Sequence, residues 1–404
     1  MSELYPPTFA DFYLLDMPTI ADPYPMYQRL RTANAVGFDH DLGLLVAYGY
    51  APVSAALRDA RFSAARMPDG SQFPPELQAL RSTFEFVSHQ MLFRDPPDHT
   101  RLRGLVSKAF TPRMIETLRA SITTLVDDLL AKATAQGEMD AIADFAYPLP
   151  TNVIMGMLGI PSTDREDFKR WSDDFAAFLG TTDEAATQRL MNSVGEVSDY
   201  LRHLIKGRTG NEEDLLSALL VAEEHGDMLH ETELFANVVL LLAAGHETTT
   251  NLIGNGLYLL LTHPEQMARL RADATLMPLA VEEFLRYESP VQYTSRLATT
   301  EMELGGQPIA AGQEVVLSIA AANRDPAQFS DPERLDVGRR DNRHLAFAFG
   351  NHFCLGAPLA RLEAQIAFTA LLSRFPVLHL REAHPPYLRN AAFHGLQRLP
   401  IGMA

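Results

Sequence analysis

The chain has 404 residues, 47% of them apolar and 21% charged, a balance that supports a globular protein with a sizeable core. Its formal net charge of −17 argues against nucleic acid and anionic membrane surfaces as partners. Its one cysteine, Cys354, rules out an internal disulfide and a structural zinc site built from cysteines.

Met1 to His40 is mixed polar and Pro-rich, without a basic n-region or an apolar h-region. The longest apolar run, Val238 to Gly245, is far short of a bilayer span. The expectation is a soluble, cytoplasmic protein. No repeat or low-complexity linker divides the chain, so residues 1–404 read as one domain. Two segments read as β, Val36 to Tyr48 and Arg296 to Ser318, the second with a Gly305-Gly306 turn signal. Helical periodicity covers Thr100 to Phe110, Met114 to Thr134, Glu166 to Leu179, Glu184 to Lys206, Glu231 to Leu261 and Leu279 to Tyr287. The fold class is therefore mainly α with a small β lobe.

The segment Glu231 to Thr262 predicts one helix about 45 Å long at 1.5 Å per residue. Its middle is apolar on every face, which implies passage through the core. Within that run lies Ala244-Gly245-His246-Glu247-Thr248-Thr249. A carboxylate in such a place is costly unless it is paired or functional. Thr248 is placed to bond back to the Ala244 carbonyl, and Gly245 weakens the same turn, so a local bend or bulge is expected. His246 and Thr249 read as structural.

Cys354 stands in Phe347-Ala-Phe-Gly350-Asn-His352-Phe-Cys354-Leu-Gly356, ahead of an amphipathic helix beginning near Leu359. The flanking glycines mark a tight turn or a close approach. A thiol at a helix N-terminus is favoured as thiolate, and a single thiolate suits the axial position of a haem iron. The alternative is an inert buried thiol.

Phe347, Gly350, His352, Cys354 and Gly356 together resemble the haem-ligand loop of the cytochrome P-450 family. Ala348 departs from the Gly that many bacterial members carry there. The resemblance implies the cytochrome P-450 fold, with haem b between the long central helix and the helix after Cys354, and Cys354 as the iron ligand. It implies that Ala244 and Gly245 leave room for dioxygen and substrate. Thr248 would donate, and Glu247 relay, the two protons that dioxygen cleavage consumes. His99, Arg103, Arg296 and His352 match positions that hold the haem propionates. Glu283, Arg286 and Arg334 match a buried structural triad, with Leu335 where the family usually has Phe.

Family position places the substrate walls around Phe62 to Leu92, Asp167 to Leu190, Leu240 to Gly245, Val291 to Thr294 and Ala391 to Phe393. These supply Phe84, Phe86, Val87, Phe175, Phe178, Leu241, Val291, Thr294 and Phe393, and imply a lipophilic small molecule. No Gly-x-Gly-x-x-Gly fingerprint and no length for a flavin domain are present. Electrons from NAD(P)H would therefore arrive through an external ferredoxin and its reductase. Arg94, Arg101, Arg103, Lys108, Arg113 and Arg119, with Arg361, would form a basic dock for the ferredoxin on the cysteine side. The expected activity is O₂-dependent C–H hydroxylation by a monomeric haem-thiolate monooxygenase. A peroxide-driven peroxygenase and a non-catalytic haem-thiolate sensor are the alternatives.

Overall fold

Alternating side chains build the β lobe first. In the computed structural model, which describes residues 8–14, 16–67, 77–180, 184–206, 208, 214–224 and 227–403, Val36–Asp39 and Leu44–Ala47 pair antiparallel. Glu314–Ser318 adds parallel to Leu44–Ala47, Tyr293–Ala298 adds antiparallel to it, and Phe62–Ser63 completes a five-stranded sheet. Period-two alternation sends Leu45, Ala47, Val315 and Leu317 into one apolar cluster, while Val46 and Val316 meet Phe9, Phe12 and Tyr27 on the other face. The sheet is therefore covered on both sides. Gly305 and Gly306 turn a separate hairpin, Met302–Leu304 with Gln307–Ile309, at φ of 57° and 82°, and a Cβ on Gly305 would lie 2.6 Å from the Val36 side chain.

The helical body surrounds the predicted central helix. It runs from Glu231 to Thr262, 32 residues or about 48 Å. His230 N–H donates to Glu233 at 3.1 Å at its start, and Pro264 opens the next helix beyond its end. The central helix packs against Pro148–Met157, Arg165–Gly180, Met277–Tyr287 and Ala357–Arg374, so its middle is enclosed as its all-round apolarity required. Among the described residues, no helix is long and apolar enough to cross a membrane.

Two expectations change, and one element is new. The central helix stays α-helical through Gly245–Thr249 and shows no bulge. The Thr248 and Thr249 hydroxyls donate to the Ala244 and Gly245 carbonyls at 2.8 and 3.3 Å, adding to the ladder without breaking it. Second, the span Met114 to Thr134 is two helices, Pro112–Thr117 and Arg119–Gln136, divided at Leu118. Thr111 caps the first by accepting from Met114 N–H at 3.2 Å. The new element, a three-stranded sheet of Leu378–Leu380, Pro400–Met403 and Glu138–Asp140, had no sequence signal. Its strands are three or four residues long and come from distant parts of the chain.

Candidate active site

The Cys354 loop is shaped by two residues of left-handed backbone. Gly350 has φ of 70°, and a Cβ there would lie 2.8 Å from the Leu57 carbonyl oxygen, so no side chain fits. Ala348 adopts φ of 56°, a conformation that costs an alanine about 1 kcal/mol relative to glycine. Ala348→Gly should therefore raise stability by up to about 1 kcal/mol, read as a higher denaturant midpoint with an unchanged haem spectrum. The Cys354 N–H donates to the Phe347 carbonyl at 2.9 Å and closes the loop.

The helix Ala357–Arg374 follows and is tied to the loop through Arg361. Its guanidinium lies 4.5 Å from the Phe347 ring centroid and donates to Glu282 at 2.6 and 2.7 Å. Burial would raise the Glu282 carboxyl, but bonds from Arg361 and His344 hold it down at about 2.

A helix N-terminus favours thiolate, but the fold holds the Cys354 thiol above its ordinary range. Burial pushes it up, and the N–H groups of Gly356 and Ala357 together with Arg103 and Arg361 only partly oppose this. The sulfur is less accessible than a helix N-terminus alone suggests. A Cβ on Gly356 would sit 3.9 Å from it.

Around this cysteine the structure brings together all four predicted propionate partners. The His99 and His352 rings lie 4.1 Å apart, and Arg103 donates to the Phe353 carbonyl at 2.7 Å. Arg296 donates to the Ser295 carbonyl and the Thr294 hydroxyl at 2.7 and 3.2 Å. Sequence reasoning missed Arg66, whose guanidinium lies 4.6 Å from the Phe93 ring centroid and close enough to Arg296 and His352 to repel both. Burial, then mutual repulsion, lowers these groups: Arg66 to about 9, His352 to about 3, and Arg296, mainly by burial, to about 10.

Asp95 and Glu314 are the nearby opposing carboxylates. Asp95 already accepts from the Ser63 hydroxyl and from Ala64 N–H, the latter at 2.9 Å. Such a buried cationic group calls for a further anion, and the two carboxylates of a haem satisfy it. The donor set fits the cofactor.

On the central helix, Ala244 is exposed and Gly245 and Thr248 are half-buried, although Leu242, Ala243, His246 and Thr249 beside them are buried. Small residues thus open one face of the helix. Glu247 points elsewhere, into a cavity of about 970 Å³ that it shares with Tyr147, Lys169, Asp173, Thr250 and Asn251. Exposed Arg165 and Arg189 at its rim connect it to the surface. Burial raises the Glu247 carboxyl, and the Asp173 carboxylate adds to the shift. A raised carboxyl keeps its proton to higher pH and can donate it.

The structural triad needs a correction. Glu283 and Arg286 form the expected bidentate pair at 2.8 and 2.8 Å, both side chains fully buried. Arg339 is the third member, donating from Nε to both Glu283 oxygens at 3.1 Å. The Arg334 side chain is 64% exposed and sits 3.7 Å from Asp336 and 4.0 Å from Asp331. Arg334 contributes only its carbonyl, which accepts from Arg339 at 3.1 Å.

The substrate-wall residues divide. Phe86, Val87 and Phe175 are buried in the main core, which explains their apolarity without a ligand. Phe84, Phe178, Leu241, Val291, Thr294 and Phe393 are half-buried. The Phe84 and Phe178 rings meet edge-on at 5.8 Å, and Val291 and Phe393 form an isolated β-bridge across some hundred residues. Residues 68–76 and 181–183 of the expected walls lie outside the described residues.

The basic face is weaker than the count of cations implies. Arg101 pairs with Glu233, Arg119 with Glu116 at 2.5 Å, Arg361 with Glu282 at 2.6 Å, and Arg94 lies 3.8 Å from Asp98.

A helical body with a small β lobe, and one cysteine beside a cluster of basic groups, fit a haem-binding protein. A family model described as Cytochrome P450 matches residues 68–398, and the chain belongs to the cytochrome P450 family. It is similar to the cytochrome P450 monooxygenase PikC of Streptomyces venezuelae, with 43% identity covering 98% of this chain and 94% of the relative. It is 40% identical to a vitamin D(3) 25-hydroxylase of Pseudonocardia autotrophica, covering 95% and 94%. Among solved structures, P450BioI in complex with an acyl carrier protein ligated to hexadec-9Z-enoic acid superposes with a TM-score of 0.90 and 37% identity, covering 96% of this chain and 99% of that one. The protein is a cytochrome P450 monooxygenase.

Proposed function

We propose that the protein hydroxylates a lipophilic small molecule, with Cys354 as the axial ligand of haem b. Electrons come from NAD(P)H through an external ferredoxin system. The observation that carries the reading is the convergence of three guanidiniums, Arg66, Arg103 and Arg296, with two imidazoles, His99 and His352, beside a single cysteine, a donor set that suits a dianionic cofactor. When bound, haem supplies the activation of dioxygen; the residues decide where substrate and protons arrive.

Ala244 leaves the open face of the central helix free of side-chain bulk, whereas Gly245 faces Ile154, 3.3 Å from where its Cβ would stand. Phe84, Phe178, Leu241, Val291 and Phe393 supply an apolar wall, and Thr294 the one hydroxyl among them. Lipophilic molecules bind such walls by surface burial. The half-buried Thr248 hydroxyl spends its proton on the Ala244 carbonyl, so donation toward the open face requires rotation about χ1. That exchanges one hydrogen bond, a net cost of about 1 kcal/mol. Glu247, whose carboxyl burial pushes above its ordinary range and whose cavity reaches the surface, is the acid that would reload the hydroxyl.

Thr248→Ala should consume NAD(P)H and dioxygen at a substantial rate while product falls about a hundredfold, the lower end of what a positioned proton donor contributes. Hydrogen peroxide, measured beside product, should account for the difference. Coupled turnover unchanged in this variant would remove Thr248 from proton delivery.

The cationic face offers exposed Arg113 to an acidic electron donor, although several of its other arginines are paired internally. The protein acts as a cytoplasmic monomer on this reading. Turnover with NADH, ferredoxin and ferredoxin reductase, set against turnover with hydrogen peroxide alone, tests it. Product from peroxide only would favour the peroxygenase, and ligand binding without product under either condition would favour a sensor. A spectral titration of the ferric protein against terpenoids, steroids, fatty acids and macrolides identifies the substrate class.

A further inference from the structure

The acid that serves the proton path has company that the path does not use. His246 precedes Glu247 on the central helix and is 2% exposed. Its Nδ1 lies 3.0 Å from the Leu242 carbonyl, which can only accept, so Nδ1 carries the proton and Nε2 presents a lone pair. That buried Nε2 has no hydrogen-bond partner; the nearest acidic atom is a Glu247 oxygen at 3.9 Å. Across the cavity, Asp173 on the helix Arg165–Gly180 offers a second carboxylate. One ligand atom from each of the three residues lies within 4.8 Å of the other two.

We propose that His246, Glu247 and Asp173 form a divalent-cation site of the zinc class, and that its occupation takes Glu247 out of proton delivery. The second half rests on the functional reading above; the first does not.

The donor chemistry selects the ion. One imidazole with two carboxylates suits zinc and other borderline divalent metals better than calcium or magnesium, which prefer oxygen alone. Ligand atoms about 2.1 Å from one ion stand roughly 3–4 Å apart, so small side-chain rotations close the present spacing. The Nδ1–H bond to the Leu242 carbonyl is the outer contact that metal-bound histidines use to fix their tautomer. Two carboxylates against a dication leave the site neutral. The cavity that opens at Arg165 and Arg189 provides entry and room for water in the remaining coordination positions.

Lys169, which pairs with Asp173 at 2.6 Å, must swing away. Both side chains of that pair are almost half exposed, so its loss costs little. Once coordinated, Glu247 can neither hold nor release a proton, and the Thr248 hydroxyl loses its supply.

The test uses the haem-loaded ferric enzyme and Zn²⁺ as probe, with binding read by competition against a chromophoric chelator. One zinc per haem is expected, weakened at least tenfold in Asp173→Asn and again in His246→Gln. A haem spectrum identical to wild type establishes that each variant is folded. In ferredoxin-driven turnover, zinc at saturating concentration should lower product per NADH in the wild type and leave Asp173→Asn unaffected. Absence of zinc binding, or equal affinity in wild type and both variants, overturns the site. Zinc bound through these residues with product per NADH unchanged overturns its regulatory role and counts against Glu247 as proton carrier.

Discussion

Cys354→Ser gives a folded protein whose reduced form shows no thiolate-type carbon monoxide band, and whose NAD(P)H-driven product formation falls to background. The loop that presents the sulfur does not depend on it: the turn is made by Gly350, Ala348 and the backbone bond from residue 354 to the Phe347 carbonyl. Serine keeps that N–H and differs from cysteine by one atom, so the fold survives. The loss is electronic. An alkoxide is too basic to form in this buried place, and a neutral hydroxyl donates far less electron density to iron than a thiolate does. Haem titration of the variant separates retention from ligation, because on the proposed reading Arg66, Arg103 and Arg296 would still hold the propionates. A retained thiolate-type band would show that some other group ligates the iron, and Cys354 is the chain's one cysteine.

Glu283→Ala yields protein that retains little or no haem and unfolds at a denaturant midpoint lower by the equivalent of about 3–5 kcal/mol. Glu283 accepts from Arg286, from Arg339, from Asn342 at 3.2 Å and from Asp336 N–H at 3.0 Å. Removing it leaves two buried guanidiniums without their counter-charge. Arg286 also donates to the Asn323 and Pro332 carbonyls at 3.0 and 2.9 Å, which pins the irregular segment leading toward the Cys354 loop.

Arg286→Ala should therefore match Glu283→Ala, and Arg339→Ala should fall in the same class. Arg334→Ala is the control. Its side chain is mostly in solvent, so the effect should stay within about 0.5 kcal/mol. Denaturant unfolding and haem content of the four purified variants check the assignment. An Arg334 variant as damaged as Glu283→Ala would restore the original triad.

The contrast between Arg334 and Arg339 shows where sequence reading stops. Both arginines lie within a few residues of one another in a segment without helix or strand. Periodicity has no hold on such a segment, so spacing could not say which guanidinium turns inward. Arg66 was missed for a related reason. A lone arginine in a loop reads as solvated, and only the packing of that loop beside Phe93 and Arg296 buries it. Phe86, Val87 and Phe175 erred in the opposite sense, because an apolar side chain looks the same in sequence whether it faces a ligand or the core.

Local pattern by itself determined the helical body, the central helix and its buried acid, the hairpin at Gly305-Gly306, and the cysteine loop with its flanking glycines. Each of these is written in residues close together in the chain, where hydrophobic period, turn chemistry and motif spacing act directly. Tertiary structure decided which arginine completes the Glu283 cluster, that His99, Arg66, Arg103 and Arg296 converge on His352 of the cysteine loop, and that Glu247 faces a surface-connected cavity beside His246 and Asp173. These depend on burial and on charges brought together from distant segments. The energies that set them, desolvation and Coulomb interaction at a few ångströms, do not exist until the chain has folded.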